Sequence, residues 1–251
     1  MSLNRRAVLA FGAAACASPA LASGPGLAAV LDRHTLARGG AKAIEAMRSV
    51  RVDLEIEEQG VTLKALYRAT KERRMRIDVF LDGRRVFSEG LDAAGAWSWP
   101  GDADAPTTAS DAGRMGLEHG VDFNLYGLHD FPALGHRLEL DASETIDGVT
   151  YPVVKITMRD GFTTYRYIDP KSWMIARSRD VRALHPDGDP TKKLIENVFE
   201  DYRPVAGVMT SFRSHQADVA AGKVMQRTRL IGQDVNLPDA KLDLERTWRP
   251  A

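Results

Sequence analysis

The chain is almost without cysteine. It has one in 251 residues, Cys16, so no disulfide framework can hold the fold and stability has to come from packing. A surplus of positive charge is also missing. The 34 Lys and Arg residues are matched by 34 Asp and Glu, which argues against a nucleic-acid partner, whose electrostatic footprint would be a basic excess. No Gly-x-Ser-x-Gly elbow occurs, no Gly-rich phosphate loop, and no His-x-x-x-His pair that would set two imidazoles on one helical face. Without an internal repeat, a low-complexity run or a Pro/Ser-rich linker, nothing marks a domain boundary.

What is present begins with an export segment. Asn4-Arg5-Arg6 is a basic start, Ala7 to Ala17 is a small and apolar stretch too short to span a bilayer permanently, and Ala20-Leu21-Ala22 is a small-x-small cleavage pattern before Ser23. Residues 1–22 therefore read as a signal peptide, with 32 basic against 34 acidic residues, a net charge of −2, in the chain that follows. Two alternatives stay open. The paired arginines before Ala7-Val8-Leu9 also fit a twin-arginine leader as well as a general secretory one, and Ala13-Ala14-Ala15-Cys16 fits a degenerate lipoprotein signal that would leave the chain membrane-anchored through an acylated Cys16.

The remainder is dominated by a period of two. Pro25 to Arg38 reads as a helix with Leu27, Val30, Leu31 and Leu36 available to pack and Gly39-Gly40 closing it, and a short helical turn follows through Ile44 and Met47. From Arg51, Val52, Leu54 and Ile56 alternate with charged residues; Val61 to Ala69 continues after Gln59-Gly60. Arg73 to Leu81 puts Met75, Ile77, Val79 and Leu81 on one face, Asp82-Gly83 turns the chain into Val86 and Phe87, and Ala96 to Trp99 follows another turn. Further on, Tyr151 to Met158, Thr163 to Ile168, Trp173 to Val181 and Lys193 to Tyr202, the last with Leu194, Val198 and Tyr202 at even spacing, are separated by turns of a few residues. Lys223 to Ile231 is a final strand and Asn236 to Leu244 an irregular tail. Connections this short cannot make the crossover that parallel strands need, so the sheet should be an antiparallel meander.

Between residues 109 and 135 the alternation stops, and Met115, Leu117, Val121, Phe123, Leu125, Phe131 and Leu134 recur at three-to-four spacing, as in short helices. The nearest approach to a metal set is His129-Asp130 with His119 and Asp122, too loosely spaced to distinguish from surface residues. The basic run Arg68, Lys71, Arg73, Arg74, Arg76, Arg84 and Arg85 reads as a solvated outer face that discourages edge pairing, or as an attractor of anionic lipid or an acidic partner. No catalytic residue, cofactor or metal site is read from the chain.

The order of these signals carries a resemblance. "ARGGAKAIEAMRSV", "ALYRATKERRMRIDVFLDGRRVFSEGLDAAGAWSW", "YIDPKSWMI" and "FEDYRPVAGVMTSFRSH" resemble the LolA/LolB-like periplasmic lipoprotein-carrier superfamily over about residues 37–244. The resemblance implies a mainly β fold with α: a strongly curved antiparallel sheet forming a half-open barrel over residues 23–251, covered by an N-terminal helix and short lid helices. It also implies an apolar cavity between sheet and lid. The residues expected to line it are Leu54, Ile56, Met75, Ile77, Phe87, Trp97 and Trp99 from the sheet and Leu125, Phe131 and Leu134 from the lid. The implied role is a non-enzymatic periplasmic carrier of lipid or lipoprotein acyl chains, with transient membrane contact. An envelope sensor or interaction module of the same fold, or an exported metal-dependent hydrolase using His119, His129 or His136, are the alternatives.

Overall fold

The computed structural model describes residues 25–246; the export segment, its cleavage site and Cys16 lie outside them. Helix α1 (Leu27–Ala37) buries Val30 and His34 and packs Leu27 and Leu31 beside them. That set is an i, i+3, i+4, i+7 stripe. Leu36, expected to pack, falls on the opposite side and is 77% exposed. Helix α2 (Ala41–Ala46) buries Ile44.

The strands follow the expected meander. They are β1 (Ser49–Glu58), β2 (Val61–Thr70), β3 (Met75–Leu81), β4 (Arg84–Asp92), β5 (Gly95–Pro100) and the two-residue β6 (Thr107–Thr108). After helix α3 (Asp111–Leu125) and a 3-10 helix (Leu128–Leu134) come β7 (Arg137–Ile146), β8 (Val149–Thr157), β9 (Thr163–Ile168), β10 (Ile175–Arg182), β11 (Lys193–Val205), β12 (Val208–Asp218) and β13 (Lys223–Val235), then a short α4 (Asp239–Leu242). All thirteen form one antiparallel sheet in the order β6-β5-β4-β3-β2-β1-β13-β12-β11-β10-β9-β8-β7. The sheet is mainly local hairpins; only the β1–β13 pairing, Val50 opposite Val235, joins distant parts of the chain. It is not closed, so the result is a curved, half-open barrel with 52% strand and 19% helix, which makes the fold mainly β.

Turn chemistry explains the meander. Gln59-Gly60, Asp82-Gly83, Asp147-Gly148 and Ala206-Gly207 all take positive φ at both central positions, the type I′ geometry that matches strand twist. Gly39 has a different task. At φ +125° it lets α1 rest on the β11–β12 hairpin, where a Cβ would collide with the Gly207 carbonyl and where Met209 N–H donates to Arg38 O at 2.8 Å. Gly39→Ala is expected to cost about 2 kcal/mol or more, read as a lowered urea midpoint with unchanged slope.

The convex side of β2–β5 departs from expectation. Arg68 and Arg76, read as solvated, are 3% and 1% exposed, and Asp78 beside them is also buried. Asp78 is paired with Arg68, accepts from Arg76 Nε at 3.1 Å and Nη2 at 2.9 Å, and takes the Ser88 hydroxyl at 2.5 Å. The cover is the stretch expected to be an irregular tail. Arg68 donates to Asp243 O at 3.1 Å and Arg76 to Glu245 O, Leu242 is fully buried, and Arg246 grips Asp92 at 2.5 and 2.8 Å. Arg74, by contrast, meets Asp239 at the surface. A buried guanidinium needs several acceptors at once, and tail carbonyls supply those that one carboxylate cannot.

Candidate functional site

Register assigns the concave face. Through β1 and its neighbours it runs Val52, Leu54 and Ile56, opposite Tyr67, Ala65 and Leu63, then Met75, Ile77 and Val79. A bulge between Val79 and Phe80 then shifts the β3–β4 pairing by one, so that Val79 faces Phe87, Ile77 faces Glu89 and Met75 faces Leu91. One inserted residue exchanges the faces of everything beyond it. Leu91 is opposite Ala96 and Glu89 opposite Ser98, which puts Trp97 and Trp99 on the convex side. This corrects their expected place in the cavity. Trp97, fully buried, lies across Gly90, where any Cβ would strike its ring, between the guanidiniums of Arg76 and Arg246, each 5.9 Å from the ring centre. Trp99 stacks under Arg85 at 4.5 Å and donates to Ala103 O at 2.8 Å.

The other expected residues divide between two apolar patches. Met75 and Leu125 share a buried cluster with Val50, Val52, Tyr67 and Leu91, with Leu54 and Ile77 packed against it; Ile56 lies on the same face toward the rim, with Phe87 two strands beyond β2. Phe131 and Leu134 belong instead to a second cluster with Val30, Val154, Ile156 and Ile168. Helix α3 lies on the first patch through Leu117, Val121 and Leu125. The segment expected as short helices is thus one 15-residue α-helix followed by the 3-10 turn. Its N-cap is Ser110, whose Oγ accepts from Gly113 N–H at 3.0 Å, and Asp187, from the β10–β11 loop, accepts from Ser110 N–H at 2.9 Å. Near its C-terminus Asp122 is buried between Arg73 at 2.7 Å and His136 Nε2 at 3.1 Å.

A polar band that sequence reasoning missed lies on the same face, while Tyr126 packs against both patches. Along the concave side, Gln226 donates to Glu58 at 2.9 Å and Gln216 to Gln226 at 2.9 Å. Arg182 donates to Gln216 at 2.8 Å and Asn197 to Ser178 at 3.0 Å. The signal for it was the β11 alternation taken in the other parity: Ile195, Asn197 and Phe199 face inward, while Leu194 is 41% exposed. Clefts open on the described surface. One of about 870 Å³ lies beside the tail between Asp92 and Arg246, and one of about 340 Å³ lies at the β1–β2 turn. Neither opens between sheet and α3, where the helix itself occupies the concave surface.

The three candidate histidines do not converge. His119 Nε2 meets Asp160 at 2.7 Å and stacks on Phe162, and His136 takes Arg159 N–H on Nδ1 at 3.1 Å while Nε2 donates to Asp122. Among the described residues the metal-type group is Glu45, His129 and Asp130, with Asp122 and His119 elsewhere; Lys71, on the carbonyls of Ile44 and Glu45 at 3.2 and 3.1 Å, brings a cation to that spot.

Two buried groups titrate unusually. His34 donates from Nδ1 to Trp173 O at 2.8 Å while Nε2 is enclosed without a partner, and burial lowers its pKa from 6.5 to about 4. A lowered histidine must stay neutral in the fold, so its contribution is whole above pH 6.5 and is lost as pH falls toward 4, up to about 3 kcal/mol. On the concave face, desolvation, with Asp187 adding repulsion, pushes Glu89 up to about 7; its cost grows in the opposite direction, as pH rises from the ordinary value of 4.5 through 7. His34→Gln is accordingly expected to flatten the acid limb of stability between pH 6.5 and 4 in urea titrations, and an unchanged limb would remove His34 from this role.

No protein-family model matches the chain, and no curated protein matches it in sequence. Solved structures do. A LolA superfamily protein from Nitrosomonas europaea aligns over 87% of this chain and 97% of its own at 12% identity, TM-score 0.55. A DUF1329 family protein from Desulfovibrio piger aligns over 88% and 99% at 12% identity, TM-score 0.53. A domain named for outer membrane lipoprotein sorting from Vibrio parahaemolyticus aligns over 87% and 96% at 10% identity, TM-score 0.53. The chain has a LolA-like fold. Among the described residues no helix is long and apolar enough to cross a membrane.

Proposed function

We propose that this chain is an exported, non-enzymatic carrier that holds the acyl chains of a lipid or lipoprotein in the periplasm, with residues 1–22 as its export signal and residues 23–251 acting as one unit. The observation that carries the reading is the seat of α3. An amphipathic helix covers an apolar concave patch with three side chains and is clipped at its two ends by polar contacts, Asp187 at Ser110 and Asp122 at Arg73 and His136. An acyl chain hiding about 0.8 kcal/mol per methylene from water could take over that patch when the clips release. The LolA-like fold and the neighbour named for lipoprotein sorting support the same reading, and the scattered histidines speak against the hydrolase alternative.

The test is direct binding. Purified protein should take up a fluorescent long-chain fatty acid saturably, and native mass spectrometry of protein from its own host should show a bound lipid mass. Failure to bind any long-chain amphiphile would discard the carrier and leave an envelope interaction module of the same fold.

A further inference from the structure

Arg166 projects from β9 into the concave side, opposite Ser178 in register, and is only 7% exposed. Its guanidinium lies 3.9 Å over the Phe123 ring. Nε is enclosed without a hydrogen-bond partner, and among the described residues no carboxylate comes within 4 Å of it. The acid whose charge it feels is Asp180, which is already engaged by the Thr164 hydroxyl at 3.1 Å and by Arg182 Nε at 3.1 Å. Arg38 reaches the same helix end from α1's side, donating to Tyr126 O at 2.7 Å. It too has no carboxylate within 4 Å, Asp130 acting on it only at longer range. Tyr202 stands in the field of both arginines, its hydroxyl spent on Ile175 O at 2.8 Å. The last turn of α3 is thus bracketed by two guanidiniums that have no carboxylate in direct contact, their acids Asp180 and Asp130 acting only at longer range. Buried charges are ordinarily paired, and a buried guanidinium that has no carboxylate of its own in contact requires a reason.

We propose that Arg166 and Arg38 form the head-group site of the carrier: an amphiphile lying on the concave face beneath α3 sets one anionic group, a carboxylate or phosphate, against them. The inference rests on the carrier reading and adds the ligand's charge to it. A planar guanidinium with free edges matches either oxyanion bidentately, and the apolar patch of Leu54, Tyr67 and Leu125 receives the tail.

The experiment compares ligands of equal chain length by displacement of a fluorescent probe from the full exported chain: laurate, dodecyl phosphate and dodecanol, with inorganic phosphate alone as a fourth arm. Laurate and dodecyl phosphate are expected to bind about tenfold or more tighter than dodecanol, and Arg166→Gln to bring that ratio near one while leaving dodecanol binding unchanged. Thermal unfolding separates this from a structural role. A residue kept for its ligand should leave Tm unchanged or raised when its charge is removed, whereas a structural one should lower it; Arg38→Gln, measured alongside, should narrow the same ratio. Dodecanol binding as well as laurate, with both indifferent to Arg166→Gln, overturns the head-group site and leaves the carrier standing. No binding by any of the three amphiphiles overturns both. Inorganic phosphate competing as well as dodecyl phosphate would assign the arginines to a free anion and overturn the amphiphile.

Discussion

Leu54→Asp should weaken binding of a fluorescent fatty acid by more than tenfold, while Trp97→Phe should leave it within about twofold. Leu54 stands on the concave face, only partly buried against the cluster beneath α3, so a carboxylate there can remain hydrated while the site is empty and the fold should tolerate it. Occupancy removes that water. Burying a carboxylate against an acyl chain costs at least a few kcal/mol, and about 1.4 kcal/mol already makes tenfold. Trp97 lies across the sheet from any such ligand, under Arg246 and the tail; its replacement should lower stability and spare binding. The opposite pair of results, Trp97→Phe losing the lipid and Leu54→Asp keeping it, would move the site to the convex side.

The second large effect is on that convex side. Asp78→Asn is expected to destabilise the protein by about 3–5 kcal/mol, because it leaves Arg68 and Arg76 as buried cations without their shared carboxylate. Replacing the acid alone is the damaging change. Removing the charges together, as Arg68→Met with Arg76→Met and Asp78→Leu, should recover much of the loss, since well-packed apolar residues often match a buried ion cluster. Denaturant midpoints of the single and triple variants decide it: equal losses in both would mean that packing under the tail, not the unpaired charge, is what matters there.

The face of Trp97 shows where sequence reading stops. Alternation and the Gln-Gly and Asp-Gly turns of β1–β4 were enough to give an antiparallel sheet, because period two and type I′ dipeptides are local signals, and the order of those signals carried its curvature and the LolA-like fold. Reading outward from Met75 and Ile77 without a bulge pairs Met75 with Gly90 and puts Trp97 inside. The bulge at Val79/Phe80 cancels that parity, and nothing in the local residues announces it. What could have warned of it is Gly90 on the strand beside a tryptophan, since only a missing Cβ lets an indole cross there. The buried cations were hidden for a different reason: Arg68 and Arg76 look solvated until a segment about 170 residues later closes over them, a contact no window of sequence contains. Likewise the polar band of Glu58, Gln226, Gln216, Asn197, Ser178 and Arg182 is assembled from five strands, of which only β10 contributes more than one residue.

The adjacency of β1 and β13 has a consequence for how the molecule comes to be folded. Each half of the sheet, β1 to β6 and β7 to β13, can zip up hairpin by hairpin as it emerges, with loop closures of a few residues. The seam between them cannot: Val50 must find Val235 across almost the whole chain, so the central pairing, not an edge, has the highest contact order and should be the slow step of folding. Until it closes, two long strands expose unpaired edges, and an unfinished chain would be prone to sticky edge-to-edge association for as long as its last thirteen-residue strand is missing.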